Sequence, residues 1–338
     1  MKKIVLILIL LAFTPPIFCQ DFSLKNVVVN VESSFRALSV VDNNVAWVSG
    51  SKGWIGRSLT GGKTWSFVRI ANHENLDFRA IYAFDSLTCL AANAGSPAYI
   101  FRTTDGGKNW IVVYQNDDKD AFIDGMDFWN NKKGMVYGDP IGGKMLLVMT
   151  NDGGKKWSEA PANQRPELKP GEGSFAASGT GIRCDDFSKV TIVTGGTTSR
   201  VWQSRNGGVN WKATDLPIIQ GEASTGAFSI VLWRKYGVVV GGDFKNDLQT
   251  GKHIYCLAEN NNWVLPLRPT RGLRECVELV GNDQLIAVGP QGADLSNDGG
   301  QNWHPLSDEK GLHTVRKARN GSLVIGAGNA KICLINKK

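Results

Sequence analysis

Apolar and polar residues alternate over short runs along most of the chain, at the two-residue period of half-buried strands. "FRALSVVD" (35–42) and "FRAIYAFD" (78–85) show the pattern clearly. Such runs are followed by a second apolar run ending on glycine: "AWVSG", "GMVYGD", "VTIVTGG", "GVVVGGD" or "LIAVGP". A third strand then leads into a short polar phrase, and a fourth begins at that phrase's tryptophan. No stretch sustains the 3.6-residue period of an amphipathic helix, and the 39 glycines are scattered throughout. Long helices are therefore not expected.

The polar phrase recurs as "SLTGGKTW" (58–65), "TTDGGKNW" (103–110), "TNDGGKKW" (150–157), "SRNGGVNW" (204–211) and "SNDGGQNW" (296–303), with a degenerate "AENNNW" ending at Trp263. Successive tryptophans lie 45, 47, 54, 52 and 40 residues apart. Asp-Gly and Asn-Gly favour tight hairpins because glycine accepts positive φ at little cost. The side-chain oxygen of Asp105, Asp152, Asn206 or Asp298 can bond backbone N–H groups across the turn. Trp65, Trp110, Trp157, Trp211 and Trp303 can then pack over their hairpins. Thr60 and Asn206 replace the acid, and the degenerate copy lacks the glycine pair, so looser hairpins are expected there.

Four strands per unit of this length is the repeat of a β-propeller blade. First strands fall near Phe35, Phe78, Phe122, Ile182, Phe228, Leu273 and Leu312, which makes seven units. The last has only three strands before the chain ends, so "NVVVNV" (26–31) is expected to supply its outer strand and close the ring. The fold expected is all-β: one seven-bladed propeller of four-stranded antiparallel blades over residues 20–338.

The phrase resembles the Asp-box, or BNR repeat, of sialidase-like propellers. "GMVYGDP" (134–140), "GEGSFAASGTG" (171–181), "GGTTSRVWQSRNGG" (195–208) and "STGAFS" (224–229) further resemble the photosystem II stability/assembly factor-like family and its relatives in non-photosynthetic bacteria. That resemblance implies an assembly or chaperone-like binding protein. The sialidase likeness stops at the repeat: there is no Arg-Ile-Pro motif and no assignable Tyr-Glu pair.

Residues 1–19 read as a secretory signal peptide. Lys2 and Lys3 precede an apolar run from Ile4 to Phe13, and Pro15 and Pro16 break it before Cys19-Gln20. Ten apolar residues are too few to cross a bilayer as a helix, which takes roughly 20. Cleavage after Cys19 and a periplasmic or extracellular location are expected. Lipidation of Cys19 is disfavoured by the bulky Phe18. No other segment is long and apolar enough to span a membrane.

The formal charge of +7 falls to +5 once Lys2 and Lys3 are removed, and no block of Lys or Arg stands out. Nucleic-acid binding is not suggested. Cys89, Cys184, Cys256, Cys276 and Cys333 show no CxxC spacing and read as small core residues. With only four histidines, no metal site is suggested, and no cofactor motif is present. "GRSLTGGKT" (56–64) has the wrong spacing for a phosphate-binding loop.

Candidate chemistry lies in loops at one mouth of the channel, opposite the Asp-box hairpins: 138–144, 161–181, 195–200, 217–228 and 241–252. Long loops of this kind often carry function. Asp139, Glu172, Glu222 and Asp243 each stand beside glycine there. Arg36, Arg79, Arg183 and Arg274 recur at the start of the innermost strands, with His313 in the seventh unit and Arg200 nearby. Such a partial cationic ring suits an anionic ligand; the alternative is that these groups pair with neighbouring acids. The expected function is an exported scaffold that binds a protein segment or anionic ligand, and a monomer is expected. The alternative is a carbohydrate-active enzyme, a glycoside hydrolase using two of the four acids.

Overall fold

The computed structural model describes residues 22–185, 188–258 and 262–338. The signal-peptide reading, with Cys19 and Gln20, and the middle of the degenerate "AENNNW" copy fall outside them. Seven antiparallel sheets surround one axis. The first blade, running outward, is Phe35–Val40, Ala46–Gly50, Trp54–Ser58 and Ser66–Arg69. The second to seventh blades begin at Phe78, Ile123, Ile182, Thr225, Cys276 and Leu312. All seven inner strands begin within three residues of the positions expected. The fifth blade's begins at Thr225 and runs through Phe228 to Trp233.

The seventh blade takes its outer strand from the start of the described chain, in the order Phe22–Val27, Lys331–Lys337, Val324–Gly328, Leu312–Lys317. The closing strand lies upstream of "NVVVNV" (26–31), overlapping it only at Asn26 and Val27. Its register runs from Phe22 opposite Lys337 to Val27 opposite Ile332. The shift follows from burial. Phe22 reaches the apolar space between the sixth and seventh blades beside Leu306 and Ile335, whereas Val28 is 93% exposed. Val27, Val29 and Val31 continue over the seam between the seventh and first blades.

Each Asp-box ties off a hairpin between third and fourth strands. In the second blade Thr103 accepts the Gly107 N–H (3.0 Å), and Asp105 accepts those of Lys108 and Asn109 (both 3.0 Å). The Trp110 indole donates to the Gly107 carbonyl. Gly106 and Gly107 both have positive φ, as the turn requires. The hairpins expected to be looser keep the central bond: Thr60 accepts from Thr64 N–H at 3.0 Å and Asn206 from Asn210 N–H at 2.9 Å. A hydroxyl or amide oxygen supplies the acceptor as well as a carboxylate does. All five described cysteines are free thiols, four of them buried.

The long connection between the third and fourth blades is the departure from a plain propeller. It first lies against the third blade, where Met145 N–H bonds the Pro166 carbonyl. Glu172–Gly173 then pairs with Gly195–Gly196, which joins it through Gly195 and Gly226 to the fifth blade's sheet. Phe175 stacks on Phe228 with ring centroids 4.0 Å apart. Residues 177–180 enter the channel and plug it. Ser178 donates to the Glu275 carbonyl (2.8 Å), and Thr314 donates to the Ser178 carbonyl (3.3 Å). The Thr180 and Ser229 hydroxyls are bonded at 2.7 Å. Gly179 has positive φ, and a side chain there would press on Ala37 and the Arg79 carbonyl. Five of the seven blades thus touch one short polar segment.

Closure by Phe22 is testable. Phe22→Ala should cost about 3 kcal/mol in chemical denaturation, while Val28→Ala should change stability by less than about 0.5 kcal/mol. Equal effects would contradict the register described.

Candidate functional site

A β-bulge recurs at the mouth end of the inner strands and decides where the candidate charges sit. The ladders skip one residue between Phe35 and Ala37, Phe78 and Ala80, Ile123 and Gly125, Ala227 and Ser229, and Leu312 and Thr314. The extra residues are Arg36, Arg79, Asp124, Phe228 and His313. A bulge re-aims the side chain it carries and is common where strands meet a functional rim.

Arg36, Arg79, Arg183 and His313 are brought to the channel region but face acids. Arg36 lies 3.6 Å from Glu275, which also meets Nδ1 of His313. Arg79 pairs with Asp77 at 2.7 Å. Arg183 donates to the Ile230 and Val277 carbonyls and to Glu278, the last at 3.0 Å. Arg274 has no exposed surface and is held by Asp294 and the Leu273 carbonyl, between blades rather than in the channel. Deeper in the channel, Arg316 approaches Glu278 at 3.8 Å, and Arg319 covers the Tyr82 ring at 4.4 Å. Glu275, just before the sixth blade's inner strand, and Glu278, within it, are the counter-charges, while Asp127 accepts the Cys184 N–H at 2.8 Å.

With the axis plugged, the open space at the mouth lies to one side. A cleft of about 570 Å³ runs between the second and fifth blades. Four of the loops singled out from sequence meet there, contributing Asp139-Pro140, Gly171–Phe175, Gly195-Gly196 and Ala223. Gly95-Ser96 and Lys119–Phe122 complete the wall. Asp243 is not in that wall; its carboxylate accepts the Lys245 N–H in a local turn. Glu222 is exposed beside Ala223.

Glu172 lines the cleft but is fully engaged. Its carboxylate accepts from Arg200 Nε (3.0 Å), the Thr194 hydroxyl (2.6 Å), the Trp202 indole (3.2 Å) and the Lys169 N–H (3.0 Å). Arg200 also stacks over Trp202, 4.3 Å from the ring centroid. Burial opposes ionisation of Glu172, but the hydrogen bonds from Arg200 and Thr194 outweigh it, so its carboxyl sits below its ordinary pKa.

Asp139 and Asp124 differ. The Asp139 side chain accepts only the Ser174 N–H, at 2.9 Å, among the described residues. Burial raises its pKa, and that one bond only partly offsets the effect. Asp124 is completely buried, and neither carboxylate oxygen has a hydrogen-bond partner. Burial pushes its pKa well up and the neighbouring Asp139 charge adds to this, against a smaller pull from Arg79. By contrast Asp105, in its exposed Asp-box, is lowered to about 2 by the backbone N–H and side-chain amide of Asn109.

Asp124 escaped the reading of the sequence. Setting "FRALSV" (35–40), "FRAIYA" (78–83) and "IDGMDF" (123–128) in register, with Ile123 rather than Phe122 opposite Phe35 and Phe78, would have shown an acid where neighbouring blades carry arginine. Arg316 and Arg319, at the far end of an inner strand, were missed because they recur in no other blade.

A carboxyl whose native pKa is raised holds its proton more tightly when folded. Its stability is therefore full below the unfolded pKa and is lost as pH rises through the native one. Asp124→Asn should stabilise the protein by about 1–3 kcal/mol at pH 8 and match the parent near pH 4 in thermal unfolding. A destabilised variant at pH 8 would show that Asp124 is satisfied as a carboxylate.

Comparisons with known proteins bear on this arrangement. The family model described as "Photosynthesis system II assembly factor YCF48" matches residues 19–119 and 94–241, together about two thirds of the chain. Among curated proteins none matches significantly. The solved structure "YCF48 bound to D1 peptide" superposes with a TM-score of 0.64 at 16% identity, covering 94% of this chain and 97% of that one. "YCF48 from Cyanidioschyzon merolae" gives 0.65 at 16% identity, covering 92% and 98%. The solved structure "Structure of U3-55K" gives 0.62 at 10% identity, covering 93% and 98%. At these identities the structures speak for the fold, and the family match speaks for descent: the chain belongs to the YCF48-like photosystem II assembly factor family.

Proposed function

We propose that this protein is a binding scaffold of the assembly-factor kind, which holds a segment of another protein in the cleft between the second and fifth blades. The observation that carries this reading is the plug. Residues 177–180 fill the axis, while a cleft of about 570 Å³ beside them stays open. That size lies within the roughly 300–1,000 Å³ of ligand pockets. Gly95, Gly171, Gly173, Gly195 and Gly196 keep its walls low, so main-chain groups are within reach of an extended segment. The similar YCF48 structure with a bound D1 peptide supports a peptide as the occupant.

An anionic ligand held by the arginine ring has less support, because Arg36, Arg79, Arg183, Arg200 and Arg274 each face an acid. The glycosidase alternative has less as well, with Glu172 committed to Arg200 and Asp243 to its own turn. The charged start and apolar run of residues 2–13 support export, with action at the envelope or outside the cell.

The test is capture from envelope extract, followed by a peptide array of the captured protein. Ala223 is exposed on the cleft wall, so Ala223→Trp should block the cleft without disturbing the core. Binding of the mapped segment should fall by about tenfold or more, as expected when a contact worth over about 1.4 kcal/mol is lost. Asp243→Ala, outside the cleft, should bind as the parent does. Undiminished binding by Ala223→Trp would place the partner elsewhere.

A further inference from the structure

We infer that the cleft recognises a cationic side chain, a lysine or arginine of the bound segment, through Asp139 with Asp124 behind it. This deepens the proposed scaffold function and rests on it. The charges around the cleft sort into matched and unmatched groups. Lys119 pairs with Asp120 at its rim, Arg200 with Glu172 in its wall and Arg79 with Asp77. Asp139 and Asp124 remain, and no Lys or Arg lies within ion-pair distance of either among the described residues.

Asp139 stands in the cleft wall. Ser174 N–H occupies its Oδ1, and its Oδ2 has no partner among the described residues. Asp124 occupies the bulge on the adjoining inner strand, where Ile123 faces Gly138 and Asp139 N–H bonds the Phe122 carbonyl. Both its oxygens are buried without a donor. Buried polar groups are nearly always bonded, so this orphaned carboxyl marks a stored electrostatic cost; with no exposed surface and no place in the cleft wall, it acts on a ligand through Asp139 rather than by contact. The Asp139 charge disfavours ionisation of Asp124, and burial disfavours the charge of each. A cation entering the cleft would relieve both costs at once. No group of three or more ligating side chains among the described residues could hold a metal ion, so a side-chain cation fits the pair better.

The preference is also the reverse of what the recurring arginines suggest. Those arginines are compensated by Glu275, Glu278, Asp77 and Asp294, and the groups left without a counter-charge in and behind the cleft wall are the carboxyls of Asp139 and Asp124. The walls could still accept varied backbone, with selectivity set at one position of the segment.

The experiment is selection of a random hexapeptide library, blocked at both ends, on the purified protein and on its Asp139→Asn and Asp124→Asn variants. Both substitutions keep the side-chain shape, and Asp139→Asn keeps an acceptor for Ser174. The parent should enrich peptides with Lys or Arg at one position, and the best of these should lose about tenfold or more in affinity for Asp139→Asn. Replacing that Lys by norleucine should cost the parent a similar factor and the variant little. Enriched peptides without a basic residue, or a basic preference unchanged in both variants, would overturn this inference and leave the scaffold reading standing. Failure to enrich any peptide would overturn both.

Discussion

The hydrogen-bonded plug at the axis is the constraint on which the rest of the structure depends. Seven blades leave a channel lined by the backbone and polar side chains of the inner strands, and this chain fills it with its own Ser178-Gly179-Thr180. Ser178 joins the Glu275 carbonyl to the Thr314 hydroxyl, and Thr180 joins Ser229, whose oxygen in turn accepts the Val277 N–H at 3.1 Å. Small residues suit this path: Gly179 lies against Ala37 of the first blade and the Arg79 carbonyl of the second, and a side chain on Gly181 would collide with the Tyr137 hydroxyl. Filling the axis fixes the path of residues 171–175, and that path forms one wall of the side cleft.

Electrostatics follow the same division. Inside the ring, charges are matched across blades, as Arg183 and Arg316 are by Glu278. Such pairs add little net stability beyond that of an apolar core, but breaking one leaves an expensive orphan charge. At the cleft the matching stops at Asp139 and Asp124. A buried carboxyl with no donor among the described residues costs folding free energy and is retained here at a bulge, a position that elsewhere in the ring carries the paired Arg36, Arg79 and His313, or Phe228.

The fold was legible because its determinants are local and repeated. The tight turn before Trp110 needs only Thr103, Asp105 and two glycines, all within eight residues, and the same set recurs at blade spacing. Closure was legible as a missing strand, but its register was not: choosing Phe22–Val27 over residues 26–31 depends on the apolar space between the sixth and seventh blades, which no local pattern reveals. The site was legible as a set of loops, four of which do meet. What each charge does was not, because the partners are distant in sequence. Ser178 meets Glu275 and Arg183 meets Glu278 across nearly a hundred residues. Arginines that look like a ligand ring from their spacing prove to be paired once those partners are placed. Asp124 stood within the repeat itself but was hidden by treating the recurring arginine as the motif rather than the position it occupies.

The central claim is that the axis is sealed by residues 177–180 and that the cleft beside it is left for binding. Native-state hydrogen exchange on those amides tests it most directly, since exchange reports the free energy of local opening. The account predicts slow exchange across 177–180, comparable with the inner strands Phe35–Val40 and Leu312–Lys317, alongside fast exchange at the cleft rim near Lys119 and Ala223. Exchange at 177–180 as fast as at that rim would contradict it, showing an open channel with the loop lying free at its mouth.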